Sequence, residues 1–369
     1  VLRVTAIAAG HEEEPMASLD KDIAGYEKWL RKRCDVVDAD LDAKHVRMKK
    51  SPFDFLRATY FRWARTIEHA CPAIADAPRV ACVGDIHVEN FGTWRDADSR
   101  LVWGVNDFDE AAVMPYVYDL LRLATSARLA PGLRLGRREI ASAVLKGYRD
   151  GLTHPRPILL DGHAHWLAQF AAGGVGASRS FWKEVEGYPQ AEPPADVIRA
   201  LKKSLPKGAK VERFASRRKG GGSLGRPRFL VIAEWNSGRV LREAKAAVPS
   251  AWAWARSEKG AASQYMALAD GGYRSPDPAL HIEAGYVIRR IAPDSRKIEI
   301  AEIQRHGLGA ALLSAMGGEL GSIHAADKRA AAILPDLRSR DRRWLHDALD
   351  AAERLTRSDF ESLASARES

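Results

Sequence analysis

A chain of 369 residues with 46% hydrophobic and 28% charged side chains is long enough to bury a substantial core and has ordinary globular composition. No apolar run approaches a membrane span, and no charged segment leads into an apolar one at the start, so neither a spanning helix nor a signal peptide is expected. A formal charge of +9 raises nucleic-acid binding, but the basic runs Arg213 to Arg228 and Arg338 to Arg343 have no interleaved aromatics, and a basic surface equally suits a small anion.

Taken in chain order, apolar spacing near three to four predicts helices over Ile23 to Arg33 and Phe53 to Glu68. Arg79 to Val83 is a short apolar strand signal that ends at Gly84. Leu101 to Val105 is a second, ending at Asn106-Asp107, with turn residues Asp96-Ala97-Asp98-Ser99 between the two. Helical spacing returns over Tyr116 to Ala130, Ile140 to Leu152, His163 to Phe170 and Ala195 to Leu205. Ala171 to Gly176 reads as a turn, and Tyr188 to Pro194 and Pro206 to Gly208 as connections. Phe229 to Ala233 and Arg239 to Ala244 read as strands joined by Asn236-Ser237-Gly238. His281 to Ile291 reads as a further strand, and Leu308 to Ala326 and Arg343 to Leu355 as helices. The expected class is α+β, mainly helical, with a small antiparallel sheet between about Ala209 and Ile300. Cys34, Cys71 and Cys82 lack metal-ligand spacing, which predicts free thiols in a reducing cytoplasm.

The chemistry-bearing residues concentrate at the ends of the first two strands. Asp85 and Asn90 stand five apart, and Asp107 follows Asn90 by seventeen. Kinase-type phosphotransferases use this spacing. One aspartate accepts the acceptor's proton, the asparagine holds a magnesium ion, and the second aspartate holds metal against the nucleotide phosphates. A migrating phosphoryl group is rich in negative charge and requires hard cations on oxygen ligands. Either aspartate alone would read equally well as a turn cap.

Gly84-Asp85-Ile86-His87-Val88-Glu89-Asn90 resembles the G-D-x-H-x-x-N loop of aminoglycoside and choline kinase-like phosphotransferases. Tyr118-Asp119-Leu120 resembles their later D-L pair, in which the aspartate braces the catalytic loop. More closely, the stretches Arg47-Met48, Ser51 to Arg57, the Gly84 loop and Asn106 to Glu110 resemble the bacterial family of domain of unknown function 2252. That resemblance implies a bilobal protein kinase-like fold, nucleoside triphosphate (ATP or another) and Mg2+ as cofactors, Asp85 as base, and Asn90 and Asp107 on the metals. Asp109 is a further metal ligand or an acidic neighbour. His87 orients the loop or donates to a phosphate.

Nothing upstream of Gly84 can cradle a phosphate, because only Gly10 and Gly25 precede it. The candidate lies downstream at Gly220-Gly221-Gly222-Ser223-Leu224-Gly225, which reads G-x-G-x-x-G ahead of the hairpin. Gly220, Gly222, Ser223 and Gly225 are therefore expected on the cofactor, although Arg217-Arg218-Lys219 would also suit a basic linker. This order implies a circularly permuted kinase-like chain. Residues 1–208 would form the large helical part with the catalytic and metal loops, 209–300 the nucleotide-clamping sheet, and 301–369 the returning helices.

In the resembled family the hairpin's second strand carries a lysine followed by Glu-Ala, and here that position is Arg242. Lys245 is the other candidate phosphate cation. Alternation puts the two on opposite strand faces, and the expectation is that Arg242 projects into the cleft. Arg57 could bind an anion, and Glu258 could partner the cation or lie on a solvated face. The expected activity is ATP- and Mg-dependent phosphotransfer to a small-molecule hydroxyl, with neither nucleic acid nor membrane as partner and the oligomeric state left open. Gly84 in place of an arginine before Asp85 argues against activation-loop control. The alternatives are a degenerate nucleotide-binding chain, suggested by Arg242, and adenylyl transfer. A metallophosphoesterase would share Asp85-Ile86-His87 but needs G-D-x-x-D and Gly-Asn-His segments that are missing.

Overall fold

The computed structural model describes residues 18–365 apart from 163, 172–174 and 299. The turn expected over Ala171 to Gly176 falls largely outside the described residues. Four helices open the fold: α1 (Leu19–Leu30), α2 (Asp38–Met48), α3 (Pro52–Ala58) and α4 (Tyr60–Ala70). α2 escapes the periodicity reading because it buries only Leu41, Lys44 and Met48. At α3, Ser51 caps the Asp54 amide and Pro52 takes the first turn, where a missing N–H costs nothing. The single helix expected over Phe53 to Glu68 is two helices, because Thr59 leaves helical geometry at φ −120°, ψ 38°.

Short strands follow. β1 (Arg79–Cys82) pairs antiparallel with β4 (Ala112–Pro115), and β2 (Phe91–Arg95) with β3 (Leu101–Val105). Then come α5 (Val117–Leu129), α6 (Arg137–Thr153), β5 (Ile158–Leu159), α7 (His165–Ala171), α8 (Val175–Glu186) and α9 (Ala195–Lys203). The antiparallel five-stranded sheet is β6 (Lys210–Ser216), β7 (Arg228–Trp235), β8 (Gly238–Ala246), β9 (His281–Glu283) and β10 (Tyr286–Ile291), in the order β6-β7-β8-β10-β9. The one strand expected over His281 to Ile291 is a hairpin turning at Ala284-Gly285, both with positive φ.

Alternation along the sheet assigns its faces. Val231, Ala244 and Ile288 pack on Val197, Ala200 and Leu201 of α9. Leu230, Ile232 and Leu241 face the other way, toward Val185 of α8. Between β8 and β9 the chain leaves the sheet, and α10 (Ala251–Ala255) and α11 (Tyr265–Ala269) bury Trp252, Tyr265 and Leu268 in the main core. The sheet unit thus takes in α9, which precedes residue 209, and gives up α10 and α11.

The chain finishes with α12 (Ile300–Arg305), α13 (Gly309–Ala325), α14 (Ile333–Ser339) and α15 (Trp344–Ser365). α6 and α13 cross almost backbone to backbone. A Cβ on Gly147 or Gly151 would meet the Ser314 or Gly318 carbonyl, and one on Gly317 or Gly321 would meet the Val144 or Tyr148 carbonyl. Side chains there would drive the helices apart, as at small-residue crossings elsewhere. Among the described residues no helix is long and apolar enough to cross a membrane.

Candidate functional site

β1 delivers the chain into Val83-Gly84-Asp85 with a positive φ at Gly84, where a Cβ would lie 2.2 Å from the Glu110 carbonyl oxygen. Only glycine fits such a position. Asp119, fully buried on α5, accepts the Val83 and Gly84 amides at 2.7 and 2.9 Å. His324 Nε2 lies 3.1 Å from the same carboxylate, while its Nδ1 is 2.7 Å from the Tyr148 hydroxyl. Helices α5, α6 and α13 therefore hold the start of the loop rigidly.

Asp85 itself meets Arg122, another fully buried α5 residue, whose Nε and an NH2 donate to Oδ1 at 2.9 and 2.5 Å. Arg122 lies over the Tyr60 and Trp63 rings and also donates to the Leu56 carbonyl. Burial raises the Asp85 carboxyl to about 6 in spite of Arg122. Sequence reasoning missed Arg122. Its one signal was an arginine three residues after Asp119, amid the apolar run Leu120, Leu121 and Leu123.

Asn90 donates from Nδ2 to the Asp85 carbonyl at 3.0 Å, which leaves Oδ1 as an open acceptor. Asp107, two residues after β3 ends, is about a third exposed at 32%. Asp109 is buried behind it, paired with Lys245 at 2.8 Å and Arg226 at 3.3 Å. Burial works against ionisation of Asp107, but Lys245 and Arg289 outweigh it and hold the carboxyl well below the usual carboxylate range. His87 is buried, and its Nδ1 accepts the Glu89 amide at 3.2 Å, so the neutral ring carries its proton on Nε2.

The glycine-rich turn closes the far wall. It connects β6 to β7, and Gly220, Gly221, Gly222 and Ser223 line one cleft of about 900 Å³ together with Asp85, His87, Asn90, Asp107 and Asp109. Lys44 donates to the Gly222 carbonyl at 3.0 Å and Arg47 to the Gly220 carbonyl at 2.9 Å. Gly222 is pressed against the Gly84 to Asn90 loop: a Cβ there would lie 2.9 Å from both Asp85 Oδ2 and the Arg57 carbonyl. Gly225 stands apart from the cleft, with its φ of +96° spent on a turn against Leu41.

The expectation for the cation is overturned. Arg242 shares a strand face with Ala244, packs toward α9 and donates to the Ser204 carbonyl at 3.0 Å. Lys245 is on the cleft face, with its Nζ 3.1 Å from Asp107 Oδ1. Alternation does put the two residues on opposite faces, and the packing of α9 decides which of them it covers. Glu258 is exposed beyond α10, so the carboxylates that meet Lys245 are Asp107 and Asp109.

The same face holds a cluster that sequence reasoning did not find. Glu243, fully buried two residues before Lys245, accepts from Arg217 at 3.0 Å, Arg228 at 3.2 Å and Arg289 at 2.7 Å. All three arginines line the cleft. Three guanidiniums on one carboxylate leave an excess of positive charge facing the ligand space. Asn90 and Asp107 offer the oxygen donors that a hard divalent cation takes, and they do so beside Asp85.

No curated protein and no solved structure gave a match to this chain. Over residues 36–156, which include Asp85, Asn90, Asp107, Asp109 and Asp119 and end before the glycine-rich turn, the chain matches the model of the family described as uncharacterized protein conserved in bacteria (DUF2252).

Proposed function

We propose that this chain transfers the terminal phosphoryl group of a nucleoside triphosphate, ATP or another, to the hydroxyl of a small molecule. The observation that carries the reading is the convergence on one cleft of Asp85, Asn90 and Asp107 and the Gly220 to Ser223 turn, with Lys245 buried behind Asp107 and paired to it. A kinase-like arrangement also accounts for the glycine turn between the first two strands of a five-stranded antiparallel sheet and for the lysine on its third strand. Three free cysteines suit a reducing cytoplasm.

Asp85 accepts the proton of the attacking hydroxyl, and Arg122 keeps its carboxylate aimed while burial raises its basicity. Lys245 and the arginines around Glu243 draw the phosphates in. Asn90 and Asp107 would hold Mg2+, which neutralises developing charge on the phosphoryl oxygens when bound. The pairing of Lys245 with Asp107 supplies the cation that Arg242 does not, which favours transfer over a catalytically degenerate chain.

The arginine cluster favours a second reading, nucleotidyl transfer. Strands rise about 3.3 Å per residue, so Glu243 and its arginines lie about two residues' rise from Lys245, the reach of a triphosphate. If those arginines take the β- and γ-phosphates, Asp107 and any metal that it holds would serve the α-phosphate instead. Thermal shifts with a nucleotide panel, with and without Mg2+, test binding, and Asp107→Ala should abolish the Mg-dependent shift while remaining folded. Unchanged metal-dependent affinity in that variant would remove Asp107 from the site. α- and γ-labelled nucleotides then distinguish the two transfers by which label reaches the acceptor.

A further inference from the structure

The catalytic-loop side of the cleft carries charge that nucleotide binding does not use. Glu89, next to Asn90, is approached by two cations: Arg57 at 2.8 Å and Lys297 at 3.7 Å. Arg57 projects from α3, its side chain is only 4% exposed, and its Nε is buried without a partner. Lys297, from the segment after β10, is 48% exposed. The other nearby cations are already matched, Arg47 by Asp54 at 2.9 Å and Arg122 by Asp85. Arg57 and Lys297 against Glu89 therefore leave one positive charge unbalanced, next to the base. His87 lines the same part of the cleft, with its Nδ1 accepting the Glu89 amide at 3.2 Å. With Nδ1 occupied as an acceptor, the ring has its N–H on Nε2 to donate.

We propose that Arg57, Lys297 and His87 form an anion subsite for the acceptor, so that the hydroxyl compound carries a phosphate or carboxylate group. Only the naming of that ligand as the acceptor rests on the transfer reading; the subsite itself is a matter of binding. An anion there would take the unpaired Arg57 Nε–H and share Lys297 with Glu89. Charge-assisted hydrogen bonds of this kind are the strong ones. Its anchoring would place a hydroxyl of the same molecule toward Asp85, as remote binding groups do in aligned transfers.

Calorimetric titration of the full chain with inorganic phosphate, glycerol 3-phosphate, glycerate and glycerol tests this. The three anions should bind and glycerol should not, with phosphate and glycerate separating a preference for one anionic group over the other. Arg57 is buried, so replacing it risks the fold, and the decisive variants are at Lys297 and Glu89. Lys297→Gln should weaken anion binding about tenfold, the order of one charge-assisted contact. Glu89→Gln, which removes the competing carboxylate, should tighten it, an outcome that a damaged fold would not produce. Anion affinity unmoved by both variants, or glycerol binding as well as glycerol 3-phosphate, would overturn the subsite. If anions bind as expected but no Mg–nucleotide does, the transfer reading fails and the subsite stands. The reverse pattern leaves the transfer reading and removes the subsite.

Discussion

Lys245 Nζ lies 3.1 Å from Asp107 Oδ1, a contact that ties the third strand of the five-stranded sheet to the loop leaving β3. The lysine is 2% exposed and also meets Asp109 at 2.8 Å. Two carboxylates converging on one ammonium are what a cation-binding site looks like when the lysine supplies the charge. Lys245→Met should lower stability by about 3 kcal/mol, the lower end for breaking a buried pair because Asp107 is partly open to water. Mg2+ alone should return part of that loss, since the released carboxylates gain a cation. The check is chemical denaturation with and without MgCl2. A variant as stable as the parent chain would show that the pair contributes nothing.

Asp85 gives a pH signature. Burial, outweighing Arg122, raises its carboxyl to about 6, against about 3.9 in an unfolded chain. Between those values the native state holds a proton that the unfolded state has released. Its contribution to stability therefore grows as pH falls through that window and is smallest above it. For the proposed transfer the sign is opposite: with Asp85 as base, turnover should fall about tenfold per pH unit below about 6, where it is protonated. Arg122→Gln removes the charge that lowers this pKa, so the acidic limb should move to higher pH. A limb that stays in place would separate Arg122 from the base.

Asp85→Asn should keep Mg–nucleotide affinity while any transfer drops by about 10²–10⁴-fold, as for loss of a general base. Parallel binding and turnover measurements decide it. Loss of nucleotide binding would assign Asp85 to the metal.

Gly222 and Gly221 should differ sharply. A Cβ at Gly222 lies 2.9 Å from a backbone oxygen and from Asp85, whereas at Gly221 the nearest atoms are 3.5 Å away on the flexible Arg47 side chain. Gly222→Ala should displace the turn and weaken Mg–nucleotide binding several-fold with little change in stability, and Gly221→Ala should be tolerated. Equal affinities for the two variants would mean that the turn does not clamp the ligand.

Asp119→Ala removes the acceptor of two buried amides and the partner of His324. Each orphaned buried donor costs roughly 1–3 kcal/mol, so a loss of roughly 3 kcal/mol or more is expected in urea denaturation. A smaller loss would mean that water enters and satisfies Val83 and Gly84.

Much of this protein could be read from local pattern, because local pattern is where hydrophobic periodicity and turn chemistry act. Arg79 to Val83 ending at Gly84, and Leu101 to Val105 ending at Asn106-Asp107, became β1 and β3 with the acidic loops at their exits. The hairpin after the glycine-rich turn also formed as its alternation and its Asn236-Ser237-Gly238 turn require. What the chain could not reveal locally were choices between equivalent faces and partners distant in sequence. Strand alternation separates Arg242 from Lys245, but only the docking of α9 on Val231, Ala244 and Ile288 leaves Lys245 on the face that meets Asp107. Glu243 draws its arginines from β7, from β10 and from the residue just after β6, and Asp85 meets an arginine thirty-seven residues away. Those pairings are set by which buried charges end up adjacent after the core has packed. An isolated carboxylate or guanidinium cannot stay buried alone, so the tertiary structure, rather than any motif, decided which side chains surround the ligand space.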